Sequence, residues 1–306
     1  MLNKLFLNIR RKKSSAFVKK SSASVKKSSA FVNVQHYSLT TRIRSPERLL
    51  DNAEILAPYV KVHPTVRRHL FQNRSHKGAK FEEWNADFSL ALARDSIMRD
   101  WMRIIKFDGF GDLIDVPQSR EIYQTLEEKR SASGTGILFC PFHGGYVVLV
   151  RMFIDWCAKD IDVVRGVGAH NVATNANFVL FKALRNLQDG TDVYIAPDGF
   201  FGKLTHTIDV FSVSRKIGLG AAFLAYKTKS AVVFLRFKFD GTTFVPYIEF
   251  GPHPLAGQSL NEYNQVFLEA YQSFIIDFFG DDPRNLALAP GWAKEIVQYT
   301  KENPSD

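Results

Sequence analysis

His143 is the side chain of this sequence best suited to acid–base chemistry, and two glycines follow it directly in the segment GILFCPFHGGYVVL. An imidazole with an ordinary pKa near ~6.5 takes up and returns a proton at neutral pH. Paired glycines let a substrate approach the backbone closely and leave amide N–H groups for an oxygen that becomes negative. Gly144 and Gly145 are therefore candidate oxyanion donors beside a candidate base. The alternative is a turn with an incidental histidine.

Two further candidates also follow short apolar segments. Arg165 comes after IDVV, and its guanidinium suits phosphate oxygens, although a salt bridge would explain it equally well. Asp198 lies in the segment PDGFFG, where it is either a functional carboxylate or the hydrogen-bonding residue of its own turn. The next residues, Gly199, Phe200 and Phe201, are candidate substrate contacts. The two aromatic rings would line an apolar slot or, on the alternative interpretation, pack in the core.

The elements that must position these residues are strands and helices in alternation. Buried strands are predicted at about 137–140, 161–164 and 192–196, with helices at 146–153 and at 175–190 between them. Such alternation implies right-handed parallel crossovers, which bring the carboxyl ends of the strands to one edge of a sheet. We therefore expect His143, Arg165 and Asp198 to face one edge, where open α/β sheets bind their ligands.

The remaining pattern predicts an α/β fold with a mostly parallel central sheet flanked by helices and a helical N-terminal region. Asp240-Gly241 joins two β-rich segments, which predicts a β-hairpin near the C-terminal part. Further helices are predicted at 45–60, from Pro64, and at 81–105, 119–129, 216–228 and 260–280, with a short terminal helix from about Gly291. Asp209 is expected on an irregular loop.

The sequence predicts two parts, a basic tail of residues 1–44 and a single folded domain of residues 45–306. The net charge is +9, and residues 12–32 contain three near-identical heptads of the form KKSSAFV. As a helix, these heptads would place a narrow apolar stripe beside a lysine face, typical of a helix on an anionic membrane surface. The alternative is a disordered, solubilising tail. Residues 10–32 are the predicted membrane contact.

Several classes of protein are disfavoured. Cys140 and Cys157 lie in apolar segments at a spacing that fits no zinc or redox motif, which favours reduced thiols in the cytosol. The histidines show no metal-ligand spacing, so no metal and no cofactor are predicted. No apolar segment reaches the ~20 residues that span a bilayer. No nucleic-acid motif is present, and the basic excess lies largely in the tail.

The order of these junctions resembles the bacterial lipid A biosynthesis (lauroyl and myristoyl) acyltransferase family over about residues 95–280. The resemblance rests on His143-Gly144-Gly145, on Arg165, on FKALRNLQDGTDVYIAPDGFFGK and on GLGAAFLAYKTKSAVVFLRFKFDGTTFVPYIEF. Pro197-Asp198 and Gly202 match the later block of the family. In that family an acid lies five positions after the histidine, and here that residue is Val148.

The resemblance implies an O-acyltransferase, peripheral to the cytoplasmic face of the bacterial inner membrane. It would transfer a fatty acyl chain from acyl carrier protein or coenzyme A to a glycolipid hydroxyl, as in lipid A, lipopolysaccharide or capsule-anchor synthesis. His143 would be the base, with no covalent enzyme intermediate. Val148 keeps open a non-catalytic relative that binds lipid or scaffolds a glycolipid assembly complex.

Asp198 is the expected substitute for the missing acid. It ends a strand whose carboxyl edge is shared with His143, and neighbouring strands are only ~5 Å apart. Asp155 follows His143 by three helical turns, a rise of ~18 Å that carries it away from the junction. The sequence therefore predicts that Asp198 approaches His143 directly or through one water molecule.

Overall fold

A computed structural model describes most of the chain from residue 49 onward and a short segment before it. The described residues are 32–34, 49–73, 78, 80–101, 116–142, 146–158, 160–163, 176–199, 205–211, 213–240, 243–281 and 292–302. Their helices are α1 (Leu49–Leu56), α2 (Pro64–Gln72), α3 (Phe81–Trp101), α4 (Val116–Ser133), α5 (Val147–Cys157), α6 (Ala176–Gln188), α7 (Gly220–Thr228), α8 (Leu260–Asp281) and α9 (Trp292–Glu302). Their strands are β1 (Val32–Val34), β2 (Val60–Val62), β3 (Leu138–Phe139), β4 (Asp162–Val163), β5 (Val193–Tyr194), β6 (Thr205–Val210), β7 (Val213–Gly218), β8 (Val232–Phe239) and β9 (Phe244–Phe250).

The central sheet has five strands in the order β4-β5-β3-β8-β9. Strands β3, β4, β5 and β8 run parallel, and β9 returns antiparallel to β8 as the predicted hairpin. The residues of and around β3, Ile137 to Cys140, are all 0% exposed. Such a continuous apolar run is typical of a strand covered on both faces. The predicted α/β class is therefore confirmed.

Helices cover both faces of this sheet. Phe234 and Phe237 lie three positions apart in β8, and since side chains alternate along a strand, these two point to opposite faces of the sheet. Phe234 contacts Phe267 and Phe274 of α8 at 5.7 and 5.3 Å between ring centroids. Phe237 contacts Phe153 of α5 at 5.8 Å. The core therefore lies in two apolar layers, one beneath α8 and one beneath α5.

Two glycines are needed, for different reasons, where the junction between α6 and β5 packs against the amino end of β3. Gly190, at φ 84°, ends α6 in the left-handed conformation that favours glycine. At Gly136, just before β3, an added Cβ would lie 2.1 Å from the carbonyl oxygen of Thr191. This close approach brings the amino ends of β3 and β5 together.

The outer edge of β9 is interrupted by Pro246. Gly251 N donates to Val232 O at 3.0 Å, and Asp240 N donates to Thr243 O at 3.1 Å, so both of these residue pairs are hydrogen-bonded. Between them along β8 and β9, hydrogen-bonded and non-hydrogen-bonded pairs alternate. By this alternation the Pro246–Phe237 pair is a non-hydrogen-bonded one. The N–H that proline lacks would therefore have faced outward, which weakens this edge for pairing with another chain.

One predicted helix is wrong at its start. The segment 216–228 was expected to be helical throughout, but Lys216 to Gly218 belong to β7, and α7 begins at Gly220. Strands β6 and β7 pair antiparallel along their whole length. Asp209 therefore lies in β6, opposite Ser214 of β7, and the prediction of an irregular loop at Asp209 is wrong. Alternation explains the difference, because Ile208, Val210 and Val213 are buried while their polar neighbours are exposed.

The short strand β1 lies within the predicted tail. Val32–Val34 pair antiparallel with Val60–Val62 of β2. The remaining residues of the tail, 1–31 and 35–44, lie outside the described residues, so the division of the chain at residue 45 stays a prediction. No helix of the described residues is long and apolar enough to cross a membrane.

Candidate active site

The carboxyl ends of β3, β4 and β5 meet at one edge of the sheet, because the three strands run parallel in adjacent positions. Ile195 N donates to Phe139 O at 3.0 Å, and Cys140 N donates to Val233 O at 2.8 Å, which fixes the end of β3 between its neighbours. Pro141 and Phe142 continue from β3 and are buried. The predicted site residues His143, Gly144, Gly145, Arg165, Phe200 and Phe201 lie outside the described residues.

Asp198 lies at this edge, in the turn after β5. Gly199 N donates to Ala196 O at 3.1 Å, which closes the turn around Asp198. The Asp198 residue is 1% exposed. A buried carboxylate needs hydrogen-bond donors, since an unpaired charge removed from water is costly.

One of those donors is Tyr271 of α8. Its single hydroxyl proton is shared between two acceptors, Oδ1 of Asp198 and the carbonyl oxygen of Pro141, which lie 3.3 and 3.2 Å from the phenolic oxygen. Burial, and secondarily the charge of Asp198, raises the pKa of Tyr271 well above its ordinary value. The phenol therefore stays protonated and remains a donor. A single hydroxyl thus joins the Asp198 carboxylate to the backbone two residues before His143.

The β6–β7 hairpin supports the Asp198 turn from the other side. Gly218 N donates to Pro197 O at 2.8 Å. Arg215 Nη2 donates to the backbone carbonyl of Asp198 at 3.1 Å. The hairpin therefore holds the backbone of the turn, while the side chain of Asp198 points to Tyr271.

A second buried carboxylate, Asp95 of α3, lies at the other end of the histidine segment. Asp95 is 3% exposed, and its Oδ1 accepts the backbone N–H of Tyr146 at 3.1 Å. Tyr146 directly follows Gly145 and precedes α5, with φ 60° and no capping bond from its own side chain. Asp95 therefore accepts the N–H of the N-cap residue of α5, which the N3 side chain of a capping box would otherwise bind and which Leu149 at N3 cannot.

We call Pro141, Asp198 and Tyr271 the carboxyl-edge cluster, while Asp95 and Tyr146 lie at the other end of the histidine segment. Sequence reasoning identified Asp198 and missed Asp95, Tyr271 and the supporting Arg215. Asp95 had a detectable signal, since it is an acid on the apolar side of a helix. Tyr271 had a weaker one, as a hydroxyl within the helical aromatic stripe of α8.

Asp155 and residue 148 were the other candidate positions for an acidic partner of His143, and neither supplies one. Asp155 Oδ1 pairs with Arg151 Nη2 at 2.7 Å, one turn apart on α5. Val148 lies half-buried in the first turn of α5 and brings no charge. Asp198 and Asp95 are thus the buried acids that the described residues bring next to the ends of the histidine segment.

The two cysteines are poorly suited to nucleophilic catalysis. Cys140 and Cys157 are both free and buried, and burial raises the pKa of each thiol, so both remain protonated. Within the described part of the chain, no group of three or more His, Cys, Asp or Glu side chains could hold a metal ion.

The opposite edge of the sheet has a buried ion pair with a structural role. Arg130 Nε donates to Asp192 Oδ1 at 3.1 Å, and Ile137 N donates to the same oxygen at 2.8 Å. Arg130 Nη2 also donates to Cys157 O at 3.0 Å. Burial opposes the charge of Arg130, but the contacts with Asp192 outweigh it and raise the pKa of the guanidinium. This pair joins α4, α5, β3 and β5 away from the carboxyl-edge cluster.

No protein-family model matches the sequence, and a search among curated proteins finds no significant match. The likeness to the lipid A acyltransferases therefore rests on the residues quoted from the sequence. To these residues the fold adds a parallel sheet and a buried carboxylate, Asp198, at the carboxyl edge of that sheet.

Proposed function

We propose that this chain is an O-acyltransferase that moves a fatty acyl chain from an acyl thioester to a hydroxyl of a glycolipid or lipid acceptor. Acyl carrier protein or coenzyme A would be the donor. One observation carries the proposal beyond the resemblance. The buried Asp198 carboxylate shares the Tyr271 hydroxyl with Pro141, two residues before His143. A carboxylate in that position suits a histidine base that must become positively charged.

The proposed reaction is a direct transfer. His143 removes the proton of the acceptor hydroxyl as its oxygen attacks the thioester carbonyl. The carbonyl oxygen becomes negative and is stabilised by the amides of Gly144 and Gly145. When the C–S bond breaks, the leaving thiolate takes the proton from the imidazolium. Asp198 stabilises the imidazolium between these two proton transfers.

Substrate contacts are assigned on the same basis. Arg165 would bind a phosphate of the acceptor or of the pantetheine arm, as the planar guanidinium fork suits such oxygens. Phe200 and Phe201 would line the acyl slot, and Gly199 would let the substrate approach the backbone. The membrane contact would be residues 10–32, at the cytoplasmic face of the inner membrane.

A second function is favoured by Val148. The family's acid is replaced by an aliphatic side chain that cannot orient an imidazole or balance its charge. A non-catalytic relative that binds lipid, or that scaffolds a glycolipid assembly complex, would need the fold but not the acid. The two proposals differ in one outcome, since only the enzyme releases free thiol from an acyl thioester.

The test uses the purified full-length chain with lauroyl-coenzyme A or lauroyl-acyl carrier protein as donor. The acceptor is a glycolipid extract of the source membranes, and released thiol is measured with a colorimetric thiol reagent. We expect His143→Ala to lower turnover by ~10²- to 10⁴-fold, the range for loss of a general base. His253→Ala, at an exposed histidine between β9 and α8, is the control and should keep full turnover. Equal turnover of the two variants would exclude His143 from the mechanism.

A further inference from the structure

The Tyr271 hydroxyl of α8 contacts both the end of β3 and the turn after β5. Its two acceptors are far apart in sequence. Pro141 lies 130 residues before Tyr271, and Asp198 lies 73 residues before it. Beside the direct pairing of β3 with β5, a side chain from a third element therefore bridges the Asp198 turn and the end of β3.

The ring of Tyr271 is held in place by its neighbours. Tyr271 is 0% exposed, and its ring meets Phe234 of β8 edge-on at 5.2 Å between centroids. Phe267 and Phe274, on the same face of α8, lie 6.3 Å from it on either side. A ring with this little freedom presents its hydroxyl in one direction, so the donor is oriented before any substrate binds.

Packing alone does not explain the hydroxyl. A phenylalanine would fill the same aromatic stripe, and burying a hydroxyl costs free energy unless it is hydrogen-bonded. Here the hydroxyl has two acceptors, one of which is a carboxylate, and hydrogen bonds to charged groups are stronger than neutral ones. The oxygen atom therefore has a role at the carboxyl-edge cluster that the ring does not supply.

We infer that Tyr271 is a positioning residue for acyl transfer: its hydroxyl fixes the Asp198 carboxylate against the end of β3. This inference rests on the proposed function, because it needs Asp198 to act on His143. Tyr271 contacts no reacting atom. It acts through Asp198, so its loss should slow the chemical step without weakening donor binding.

The chain supplies a matched control in Tyr263. Tyr263 lies eight residues earlier on α8, about 12 Å along the helix axis, and it is also 0% exposed. Its hydroxyl donates to the carbonyl oxygen of Pro252 at 2.8 Å, outside the cluster. Tyr263→Phe therefore removes a buried phenolic hydroxyl and a bond to a proline carbonyl, as Tyr271→Phe does, but leaves Asp198 untouched.

The experiment compares Tyr271→Phe, Tyr263→Phe and Asp198→Asn in the full-length chain, with the lauroyl donors and glycolipid extract of the thiol-release assay. We expect Tyr271→Phe to lower kcat by about 10- to 100-fold, the range for losing a hydrogen bond to a charged group. The KM for the donor should stay within about twofold, since donor binding is unchanged. Both tyrosine variants should lower the melting temperature by similar amounts, and Tyr263→Phe should keep the wild-type kcat.

The double variant Tyr271→Phe/Asp198→Asn separates a positioning role from an independent one. If Tyr271 acts through Asp198, the double variant should be no slower than Asp198→Asn alone. Losses in kcat that multiply would overturn the inference, as would equal kcat values for Tyr271→Phe and Tyr263→Phe in an active protein. A wild-type chain that releases no thiol from either donor would overturn the proposed function and this inference with it.

Discussion

Asp198 is buried and held by hydrogen bonds from two other elements. The residue is 1% exposed, its carboxylate accepts a hydrogen bond from the Tyr271 hydroxyl, and its backbone carbonyl accepts one from Arg215. A turn aspartate with no further role is usually solvated and bonds to its own backbone. Burial of the carboxylate at the carboxyl edge therefore favours the functional interpretation over the structural one.

The first prediction concerns Asp198→Asn. The amide keeps the shape of the side chain and an oxygen for Tyr271, but it loses the charge that would stabilise an imidazolium. We expect turnover to fall by about 10²- to 10³-fold, as when one preorganised electrostatic contact is removed from a site. Asp209→Asn, at an exposed position of β6, should leave turnover unchanged. Thermal unfolding checks the fold, and a loss of stability without loss of turnover would contradict the account.

His69 gives a prediction about pH. It is 7% exposed on α2, its ring meets Tyr299 of α9 at 5.9 Å, and burial lowers its pKa below the ordinary value. The folded chain therefore resists protonation at this site, while the unfolded chain takes up a proton below about pH 6.5. Stability should decrease as the pH falls from about 6.5 toward the lower pKa of the folded state.

The check is denaturant unfolding of wild type and His69→Phe at several pH values between 7 and 5. Phenylalanine keeps a ring against Tyr299 and has no titrating group. The variant should lose less stability on acidification than the wild type. Parallel pH profiles for the two proteins would show that His69 does not contribute.

Sequence reasoning predicted residues of this edge only where the signal was local. Asp198 follows an apolar strand directly, so its place was readable from the chain. Asp95 and Tyr146 are 51 residues apart, and Tyr271 and Pro141 are 130 apart. Contacts of that range depend on helix rotation and strand register, which apolar periodicity does not specify.

At the scale of elements, β3 and α5 were predictable because a continuous apolar strand breaks abruptly into polar and glycine residues before an apolar helix. Strands β6 and β7 have the alternation of polar and buried residues that is typical of a half-buried strand, but the prediction assigned these residues to a loop and to the start of a helix. The small apolar residues of KIGLGAAFLAYKT also favour a helix, and only the pairing of β7 with β6 converts its first three residues to strand.

The buried Arg130–Asp192 pair gives the prediction at this scale. Asp192→Asn should lower the free energy of unfolding by about 3–5 kcal/mol, since it removes the buried charge that balances Arg130 and leaves only the partly exposed Glu127 as its partner. Asp155→Asn breaks the exposed Arg151 pair on α5 and should cost at most about 0.5 kcal/mol. Urea unfolding measures both. Equal losses would mean that the amino edge of the sheet is not joined through this pair.

At the scale of the whole molecule, the charge is unevenly distributed. Residues 10–27 contain eight Lys or Arg and no acid, close to the entire net charge of +9. The proposed acyl-transfer site, with a basic segment attached to its domain, would suit work at an anionic membrane surface. Each Lys or Arg near such a surface contributes about 1 kcal/mol of attraction.

Removal of residues 1–31 should therefore abolish binding to anionic vesicles and leave the domain folded. This truncation keeps β1, which pairs with β2. Sedimentation with phosphatidylglycerol vesicles at low and high salt measures binding, and phosphatidylcholine vesicles are the control. Equal partition of the truncated and full-length chains would assign the heptads a solubilising role.

The central claim, that the chain acylates a glycolipid by means of His143, is tested most directly by mass spectrometry of glycolipids from cells that lack it. We predict that one glycolipid loses the mass of a single fatty acyl chain. Wild-type and His253→Ala chains should restore that mass, whereas His143→Ala, produced at the same level, should not. An unchanged glycolipid profile in the deletion strain, or full restoration by His143→Ala, would contradict the account.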